Sequence, residues 1–364
     1  MEYLFEDVLE IKNGKNQKAV ENPEGQYPIY GSGGLMGYAD DYICEADTVI
    51  IGRKGNINNP IYVSEPFWNV DTAFGLLTNK EILLPRYLFY FCKKYDFEKL
   101  NKTVTIPSLT KSDLLKIKIK LPNIEEQQCV IDKLNKIESI IELRKHELKL
   151  LDDFKKARFV EMFGDPVDNP MGWNKKRLQD IVSDDCSISY GIVQTGDDKE
   201  EGVPVFRPVD IVNRVPKLDE LKKTTEEISN KYKRTILKGR EMLITVRANI
   251  ADTCIVGEEF KGCNVGRGIV PIRTKEDIII LEFLKYLMDS KHLNDDIKRK
   301  AKGITLIQLN MEDLREVELI IPPVEHQKIF VNFAKKINKS KATIQKALDE
   351  AQLLFDSLMQ QYFG

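Results

Sequence analysis

Two segments of about 40 residues carry the clearest hydrophobic pattern in the chain. Apolar residues recur every three to four positions from Glu125 to Phe163, and the pattern returns from about Glu325 to Phe363. This spacing is typical of helices that pack along a coiled-coil seam. The predicted seam residues are Val130, Leu134, Ile137, Ile141, Leu148, Leu151, Phe154, Phe159 and Met162 in the first segment, and Ile329, Phe333, Ile337, Ile344, Leu348, Ala351, Phe355, Leu358 and Tyr362 in the second.

Prolines and glycines delimit both predicted helices. Pro122 and Pro322-Pro323 precede them, carboxylates follow these prolines, and Gly164-Asp165-Pro166 comes after the first helix. Each helix would be about 60 Å long at ~1.5 Å per residue, too long to be covered by its own globular part. We expect the two helices to run antiparallel and to bury their apolar sides against each other. The alternative is that each packs on a separate partner.

The chain repeats itself with an offset of 200 residues. Leu109–Gln127 matches Leu309–Gln327 without a gap, with identical Leu, Asp, Pro, Glu and Gln positions. Upstream the similarity is weaker and the offset smaller, as expected when surface loops vary on a shared scaffold; Asn69-Val70, for example, resembles Asn264-Val265. The chain is therefore predicted to contain two versions of one unit, each a β-rich globular part followed by a long helix.

The globular parts have the pattern of mixed α/β structure. Short β-branched or aromatic runs at Tyr27–Tyr30, Thr48–Ile51 and Ile61–Val63 alternate with turn residues, whereas Pro85–Lys94 and Glu282–Lys291 favour helices. We predict an α+β fold: two mixed α/β domains joined by two long helices in an antiparallel coiled coil, related by a pseudo-two-fold internal repeat. The predicted bounds are 1–123 for the first domain, 124–163 for the first helix, 164–323 for a linker and the second domain, and 324–364 for the second helix.

Composition narrows the class of protein. The 364 residues are 42% hydrophobic and 31% charged, which suits a folded core, and the formal net charge is −2. The six cysteines show no C-x-x-C spacing and the three histidines are far apart, so we expect neither disulfides nor a metal site. With no secretory signal at the start and no apolar run long enough to span a bilayer, we expect a cytoplasmic protein.

Catalytic motifs are weak. A P-loop motif does not occur, and we interpret Gly31-Ser32-Gly33-Gly34 as a tight turn. Asn59-Pro60-Ile61-Tyr62 is interpreted as a turn entering a strand rather than as an amino-methyltransferase motif. Glu259-Phe260-Lys261 has the form of a nuclease triplet, but such triplets arise by chance ~6 times in a chain of this composition. We therefore expect no catalysis and no cofactor in this chain.

Several motifs, taken in their order and duplication, are similar to those of the specificity subunits of type I restriction-modification systems. A Pro-x-x-x-x-Gln helix start occurs at Pro122 and again at Pro322, and Tyr-Pro-Ile-Tyr-Gly-Ser-Gly-Gly begins at Tyr27. Further matching segments are Ile50–Ile57, Trp68–Thr72, Phe163–Pro166 and Gly172-Trp173. The second half departs from the pattern, because it has Ile307-Gln308-Leu309 where the first has Pro107-Ser108-Leu109 and it lacks the glycine-rich turn.

The resemblance implies a non-catalytic subunit that reads double-stranded DNA. Each globular part would be a target recognition domain for one half of a split sequence, and the helices would set the spacer between the halves. Two methyltransferase subunits, which use S-adenosylmethionine to methylate adenine, would dock on the chain, and ATP-dependent restriction and translocation subunits would complete the complex. The chain would then supply specificity to both activities, with no membrane partner.

Base reading in the major groove needs paired donors or acceptors, such as Arg for guanine and Asn or Gln for adenine. Candidate DNA-binding residues lie on polar loops, and simple turn chemistry is the alternative for each. They are Tyr30, Ser32, Arg53, Lys54, Asn56, Asp71 and Thr72 in the first domain, and Arg207, Arg247, Asn249 and Arg267 in the second, with Lys298, Arg299 and Lys300 as phosphate contacts. Ten of the 14 arginines lie between residues 164 and 323, which predicts more guanine contacts in the second half-site.

Two other functions remain open at this point. A fused or stand-alone DNA methyltransferase or nuclease is disfavoured by the missing cofactor and metal motifs. A coiled-coil adaptor without DNA contact would leave the recognised sequence unchanged when residues 1–123 are exchanged. Because the net charge of each of the four segments lies between −2 and +2, we expect weak, salt-sensitive DNA binding by the chain alone and tight binding only with methyltransferase subunits.

Overall fold

A computed structural model describes residues 1–103, 105–211, 215–303 and 307–364. It contains two compact units: unit 1 comprises residues 1–148 and 343–364, and unit 2 comprises residues 149–342. Both long helices cross from one unit to the other, so each unit combines one β-rich part with a portion of each helix. In the part of the chain that the structure describes, no helix is long and apolar enough to span a bilayer.

Unit 1 is built around a four-stranded antiparallel sheet with the order β2-β8-β5-β6, accompanied by a three-stranded sheet (β4-β3-β7) and the pair β1-β9. The strands are β1 (Glu2–Leu4), β2 (Leu9–Asn13), β3 (Tyr27–Gly31), β4 (Gly34–Ala39), β5 (Thr48–Gly52), β6 (Ile61–Val63), β7 (Trp68–Asn69), β8 (Ala73–Thr78) and β9 (Lys118–Lys120). The helices are α1 (Phe5–Val8), α2 (Pro85–Lys94), α3 (Lys111–Leu114) and α4 (Ile124–Phe163). All five residues of β5 are buried, which explains its apolar composition.

The short elements predicted in the first domain agree with these bounds. Strands occur at all three predicted runs, and α2 begins at Pro85, where proline's missing N–H and fixed φ are tolerated. Gly31 pairs with Gly34 across a two-residue turn, so the glycine-rich segment is a hairpin turn, as predicted.

Unit 2 repeats this plan with fewer strands: β14-β13-β16 replaces the four-stranded sheet, β12-β11-β15 the three-stranded sheet, and β10-β17 the terminal pair. The strands are β10 (Lys175–Arg177), β11 (Val203–Phe206), β12 (Lys222–Thr224), β13 (Glu241–Thr245), β14 (Thr253–Val256), β15 (Asn264–Val265), β16 (Ile269–Ile272) and β17 (Glu318–Ile320). The helices are α5 (Leu178–Ile181), α6 (Glu226–Lys231), α7 (Leu281–Met288), α8 (Lys291–Lys300), α9 (Met311–Arg315) and α10 (Val324–Phe363).

The helix predicted at Glu282–Lys291 was wrong at its C-terminal end. Helix α7 stops at Met288, and α8 begins three residues later. Ser290 has extended backbone angles (φ −62°, ψ 138°), and its hydroxyl donates a hydrogen bond of 2.6 Å to the Leu287 carbonyl. A serine that satisfies a nearby backbone carbonyl competes with helix continuation, and the apolar pattern carries no sign of this break.

Within each unit, α4 and α10 pack side by side. In unit 2, Lys341 donates to Asp152 (2.6 Å), and the ring centroids of Phe159 and Phe330 lie 5.3 Å apart. Residue numbers rise on one helix as they fall on the other, so the pair is antiparallel, as predicted. In unit 1 the buried cluster likewise joins the first part of α4 to the last part of α10; its helical members include Val130, Leu134, Ile137, Ile141, Phe355 and Met359.

One predicted seam residue was wrong. Ile329 is 55% exposed, although it follows the helical spacing. The neighbouring Phe330 is fully buried instead, against Phe159 and Phe163. Phe154 is also 54% exposed, but its ring packs edge-on against the predicted seam residue Phe333 of α10, with centroids 5.3 Å apart. The periodicity defines an apolar side of a helix, but the partner side chains decide which residue at its margin is covered.

The repeat is visible in atomic detail at the start of each long helix. The Gln127 side chain accepts from the Leu84 amide (2.9 Å) and donates to the carbonyls of Ile82 and Pro122. The side chain of Gln327, offset by 200 residues, makes the same three contacts with Ile280, Ile278 and Pro322. Because both glutamines are fully buried, Gln127 fastens α4 to the segment just before α2, and Gln327 fastens α10 to the segment just before α7.

The upstream repeat differs by one residue from the sequence match. Strand β3 pairs in parallel with β7, and β11 pairs in the same way with β15. The amides of Ala73 and Ile269, the first residues of β8 and β16, bond the carbonyls of Val70 and Gly266, each at 3.0 Å. Val70 therefore corresponds to Gly266 rather than to Val265, because the hydrogen-bond pattern and not the local Asn-Val similarity sets the register.

Candidate nucleic-acid interface

In unit 1, four loops meet where β3, β5 and β7 end and β8 begins. Gly52 at the end of β5 faces Ala73 at the start of β8. The Thr72 carbonyl accepts from the amides of Arg53 (2.7 Å) and Lys54 (3.2 Å), and the Arg53 carbonyl accepts from the Leu109 amide (2.9 Å). Because these hydrogen bonds join residues far apart in sequence, they bring the four loops together at one edge of the sheets, where these strands end or begin. We call this surface edge 1.

Glycines allow the loops of edge 1 to approach closely. A Cβ atom on Gly52 would lie 2.0 Å from the Asn56 carbonyl oxygen and 3.1 Å from the Ser32 Cβ. A Cβ on Gly31 would lie 3.6 Å from the Thr72 Oγ1. Ser32, Asn56 and Thr72, predicted separately as DNA-binding residues, are therefore neighbours.

The side chains of edge 1 differ in how accessible they are. Lys54, Asn56 and Asp71 are exposed, whereas Ser32 and Thr72 are half-buried. The half-buried Arg53 guanidinium lies 5.8 Å from the Phe74 ring centroid, and no carboxylate in the described residues pairs with it. Edge 1 thus offers hydroxyl, amide and cationic groups, the types that contact phosphates and base edges.

Tyr30 fits this surface less well than the other candidates of the first domain. Its ring packs edge-on against Phe67 with centroids 5.6 Å apart, and burial raises the pKa of its hydroxyl. The side chain therefore belongs mainly to the small core beneath edge 1, although β3 carries it towards the same loops.

Unit 2 has an equivalent edge, which we call edge 2, formed where β11, β13 and β15 end and β16 begins. The Gly268 carbonyl accepts from the Val246 amide (2.8 Å), and the Val246 carbonyl accepts from the Leu309 amide (2.9 Å). A Cβ on Gly268 would lie 2.4 Å from Pro208 Cγ and 3.3 Å from Arg247 Cβ. The loops that carry the predicted residues Arg207, Arg247 and Arg267 therefore converge around Gly268.

Two arginines of edge 2 differ in whether a carboxylate compensates their charge. The Arg207 guanidinium donates twice to the Asp210 carboxylate (3.0 and 2.9 Å), and these hydrogen bonds raise the pKa of Arg207. Arg267 is exposed, and no described residue pairs with its side chain. Arg207 is thus charge-compensated within its own loop, whereas Arg267 keeps its full charge.

The loop that carries Asn249 contacts helix α8, and the last turn of α8 holds the three predicted phosphate-binding residues. Asn249 is exposed on the loop after β13, and the Asn294 side chain of α8 donates to the Ala251 carbonyl in the same loop (2.9 Å). In the last turn of α8, Arg299 and Lys300 each lie 3.4 Å from the Asp296 carboxylate, while Lys298 is exposed without a partner among the described residues. Lys298 is thus the least compensated of the three.

Two features of these edges are not among the predicted DNA-binding residues. Gln308 lies beside Arg247 on edge 2, and its only sign in the sequence is that it replaces Ser108 next to the shared Leu109/Leu309 position. On edge 1, Leu35 and Met36 are 54% and 59% exposed on β4, directly after the hairpin turn that holds Ser32. An exposed apolar pair beside polar loops is typical of an interaction surface.

The chemistry of both edges is suited to binding. Arginine, lysine, asparagine, serine and threonine side chains dominate, and Asp71 is the only carboxylate among the predicted residues. Among the residues that the structure describes, no three His, Cys, Asp or Glu side chains gather as a metal-binding group.

Comparison with known proteins identifies the relatives of this chain. The family model described as "Type I restriction modification DNA specificity domain" matches residues 2–152 and 170–352. The type I restriction enzyme EcoBI specificity subunit of Escherichia coli is 23% identical over 363 residues, covering 93% of this chain and 76% of that protein. The MjaVIII specificity subunit of Methanocaldococcus jannaschii is also 23% identical, over 94% of this chain and 88% of that protein.

Solved structures share the fold over the whole length. The S subunit of a type I restriction-modification system from M. genitalium superposes with a TM-score of 0.66 at 14% identity, covering 100% of this chain and 96% of that one. A chain from a study of complex assembly and conformational transition of the type I R-M system gives 0.61 at 18% identity, with 100% and 97% coverage.

These findings agree with the motifs and with the repeated α+β architecture. The matched relatives are named specificity subunits, which supports a non-catalytic role in DNA sequence specificity, and the alternative of a methyltransferase or nuclease enzyme gains no support. Since the family model matches both β-rich parts and most of both long helices, the chain belongs to the type I restriction modification DNA specificity domain family.

Proposed function

We propose that this specificity subunit reads a bipartite DNA target, with one half-site bound by residues 1–123 and the other by residues 164–323. Edges 1 and 2 would be the reading surfaces, and the fourteen residues predicted above would supply most of the contacts. The remaining segments, 124–163 and 324–364, would act as the spacer.

One observation carries this proposal: the two edges share a backbone but not their side chains. The carbonyl of Arg53 bonds Leu109, and that of Val246 bonds Leu309, each at 2.9 Å. In the bridge beside these bonds, unit 1 has Lys54 and Ser108, whereas unit 2 has Arg247 and Gln308. One framework with two different sets of donors and acceptors suits the reading of two different half-sites.

We further propose that two methyltransferase subunits, and restriction subunits with them, assemble on this chain. The long helices carry apolar side chains that their own units leave exposed, and such surfaces are typical of protein contacts. The exposed residues include Ile140 (45%), Leu143 (62%), Leu150 (51%), Val160 (57%), Leu353 (72%) and Leu354 (52%). The solved neighbour from the study of type I R-M complex assembly is consistent with such partners.

Exchanging residues 1–123 for the corresponding domain of another specificity subunit tests the proposed function. Because each edge would read its own half-site, we expect one half of the methylated sequence to change completely while the other half and the spacer persist. The measurement is methylation-aware sequencing of host DNA with each version of the chain. An unchanged target would favour a scaffold without DNA contact.

Replacing Lys54 by alanine is expected to weaken DNA binding by the assembled complex about three- to tenfold on all sequences. Since an exposed lysine contributes to phosphate binding, the slope of log affinity against log salt should also fall by about 1. Binding titrations between low and physiological salt measure both quantities.

Lys80→Ala is the matched control for this measurement. Lys80 is an exposed lysine that pairs with Asp47 (2.9 Å) and follows the far end of β8, whose first residue lies at edge 1. Equal losses for the two variants would argue against edge 1 as the DNA-binding surface.

A further inference from the structure

We propose that Arg247 and Gln308 form one guanine-reading unit, in which Gln308 positions the Arg247 guanidinium against the major-groove edge of a guanine. The proposal rests on the function proposed above, because it requires that residues 164–323 read one half-site. Gln308 is not among the fourteen predicted DNA-binding residues, and guanine is the base that the pair would recognise.

The backbone holds both residues of the pair in place. Arg247 and Gln308 face each other in an antiparallel bridge, and the next residue, Leu309, donates its amide to Val246. On its other side Gln308 exchanges two hydrogen bonds with Lys302, at 2.9 and 3.0 Å. Because the backbone of Gln308 is hydrogen-bonded on both sides, its side chain is well placed to orient the guanidinium of Arg247.

The hydrogen bonds of Arg247 leave a defined set of donors. Its Nη2 donates to the Gln308 Oε1, while its Nε is buried without a hydrogen-bond partner in the described part of the chain. A guanidinium has five N–H groups, so the two of Nη1 and the second one of Nη2 remain. One N–H from each terminal nitrogen forms an end-on fork, which matches the adjacent O6 and N7 acceptors of guanine.

The partner of Arg247 is a neutral side chain, which favours a base rather than a phosphate as the DNA group that Arg247 binds. Gln308 is neutral, so it fixes the direction of the guanidinium without neutralising it. Arg207, on the same edge, is instead held by the Asp210 carboxylate at 2.9 Å. Phosphate contact depends mainly on charge, whereas base reading depends on the direction of the donors, and direction is what the Gln308 contact provides.

Unit 1 lacks this arrangement at the equivalent bridge. Lys54 and Ser108 stand there, and an ammonium group is a point charge without a fork. The pair therefore distinguishes the two reading surfaces, and it places the recognised guanine in the half-site read by residues 164–323.

The test uses the full chain assembled with its methyltransferase subunits. Once the target is known from methylation-aware sequencing, each guanine in the half-site of residues 164–323 is replaced singly by 7-deazaguanine, which lacks the N7 acceptor. For the unmodified chain we expect one position at which the analogue weakens binding about tenfold. In Arg247→Ala the analogue at that position should cost nothing further, and Arg247→Lys should lose most of the discrimination while keeping the charge.

Gln308 is tested as a positioning residue by rescue. Gln308→Ala should reduce the discrimination at that guanine several-fold, whereas Gln308→Glu, which keeps an acceptor oxygen for Arg247, should restore most of it. Gln179→Ala is the matched control, because Gln179 is a surface glutamine of unit 2 that donates to Glu316 (2.8 Å) away from edge 2. Thermal unfolding of each variant shows whether unit 2 remains folded.

Several outcomes would overturn the proposal. They are a half-site without guanine, a 7-deazaguanine effect that survives in Arg247→Ala, or an equal loss of binding on all sequences with a smaller salt slope, which would make Arg247 a phosphate contact. Full discrimination in Gln308→Ala would remove the positioning role. Failure of the proposed function itself looks different, since exchange of residues 164–323 would then leave the methylated sequence unchanged.

Discussion

Replacing Glu241 by alanine is expected to lower the free energy of unfolding of unit 2 by about 3–5 kcal/mol. Glu241 is fully buried at the start of β13, where its Oε1 accepts from the Arg273 Nη1 (2.8 Å) and from the Lys238 amide (2.6 Å). Truncation leaves the guanidinium, whose side chain is only 15% exposed, without its closest counter-charge. Since β13 leads directly to Arg247, loss of this strand should also abolish reading of the second half-site.

Urea unfolding followed by tryptophan fluorescence measures this effect. The chain has two tryptophans, Trp68 in unit 1 and Trp173 in unit 2, so a Trp68→Phe background isolates the signal of unit 2. Glu227→Ala is the matched control, because the Glu227–Lys231 pair (2.9 Å) is exposed to solvent and should contribute little to stability. Similar changes in the two variants would show that the buried ion pair does not stabilise unit 2.

The double variant Glu241→Met with Arg273→Met refines the result. Breaking a buried ion pair leaves an uncompensated charge, whereas replacing both partners by apolar side chains removes the need for compensation. We therefore expect the double variant to be more stable than Glu241→Ala.

Replacing Gln127 by leucine should destabilise unit 1 by about 2–4 kcal/mol, because three partly buried backbone groups lose their side-chain partner. The amide of Leu84 and the carbonyls of Ile82 and Pro122 all bond this side chain, at 2.8 to 3.0 Å. Leucine fills a similar volume but offers no donor or acceptor. The same substitution at Gln327 should destabilise unit 2 comparably, since its three contacts are equivalent.

The adjacent Gln128 is the control for this prediction. It is exposed, and among the residues that the structure describes its side chain bonds only Asp132, one turn along α4 (2.8 Å), so Gln128→Leu should change stability by less than about 0.5 kcal/mol. Thermal unfolding in a Trp173→Phe background, with Trp68 as the reporter of unit 1, compares the two variants. If they unfold at the same temperature, Gln127 does not fasten α4 to the rest of unit 1.

Much of the fold could be predicted from local patterns. The two long helices, the strands at Tyr27 and Thr48, and helix α2 follow from hydrophobic spacing and from proline and glycine positions, which depend only on neighbours in sequence. The break at Ser290 and the exposure of Ile329 could not be predicted this way, because they depend on one backbone conformation and on which partner covers a helix margin.

The candidate site was predictable as a set of residue types but not as a surface. Polar loops after apolar strands predicted Arg53, Lys54 and Arg247 as candidates, and the loops that carry them lie at edge 1 or edge 2. Nothing local distinguishes Arg207, which is compensated by Asp210, from Arg267, which is not. Gln308 carries no distinguishing signal in the sequence, because the neighbouring positions of the repeat also differ between the two halves.

The sequence by itself determined the family, the duplication and the long helices, because periodicity, motif order and repeat offset are written along the chain. Only the tertiary structure decided which loops share an edge, which arginine keeps its donors free, and that Gln308 stands beside Arg247. These relations arise from strand pairing between segments about 60 residues apart, and such pairings leave no local signal from which their register could be derived.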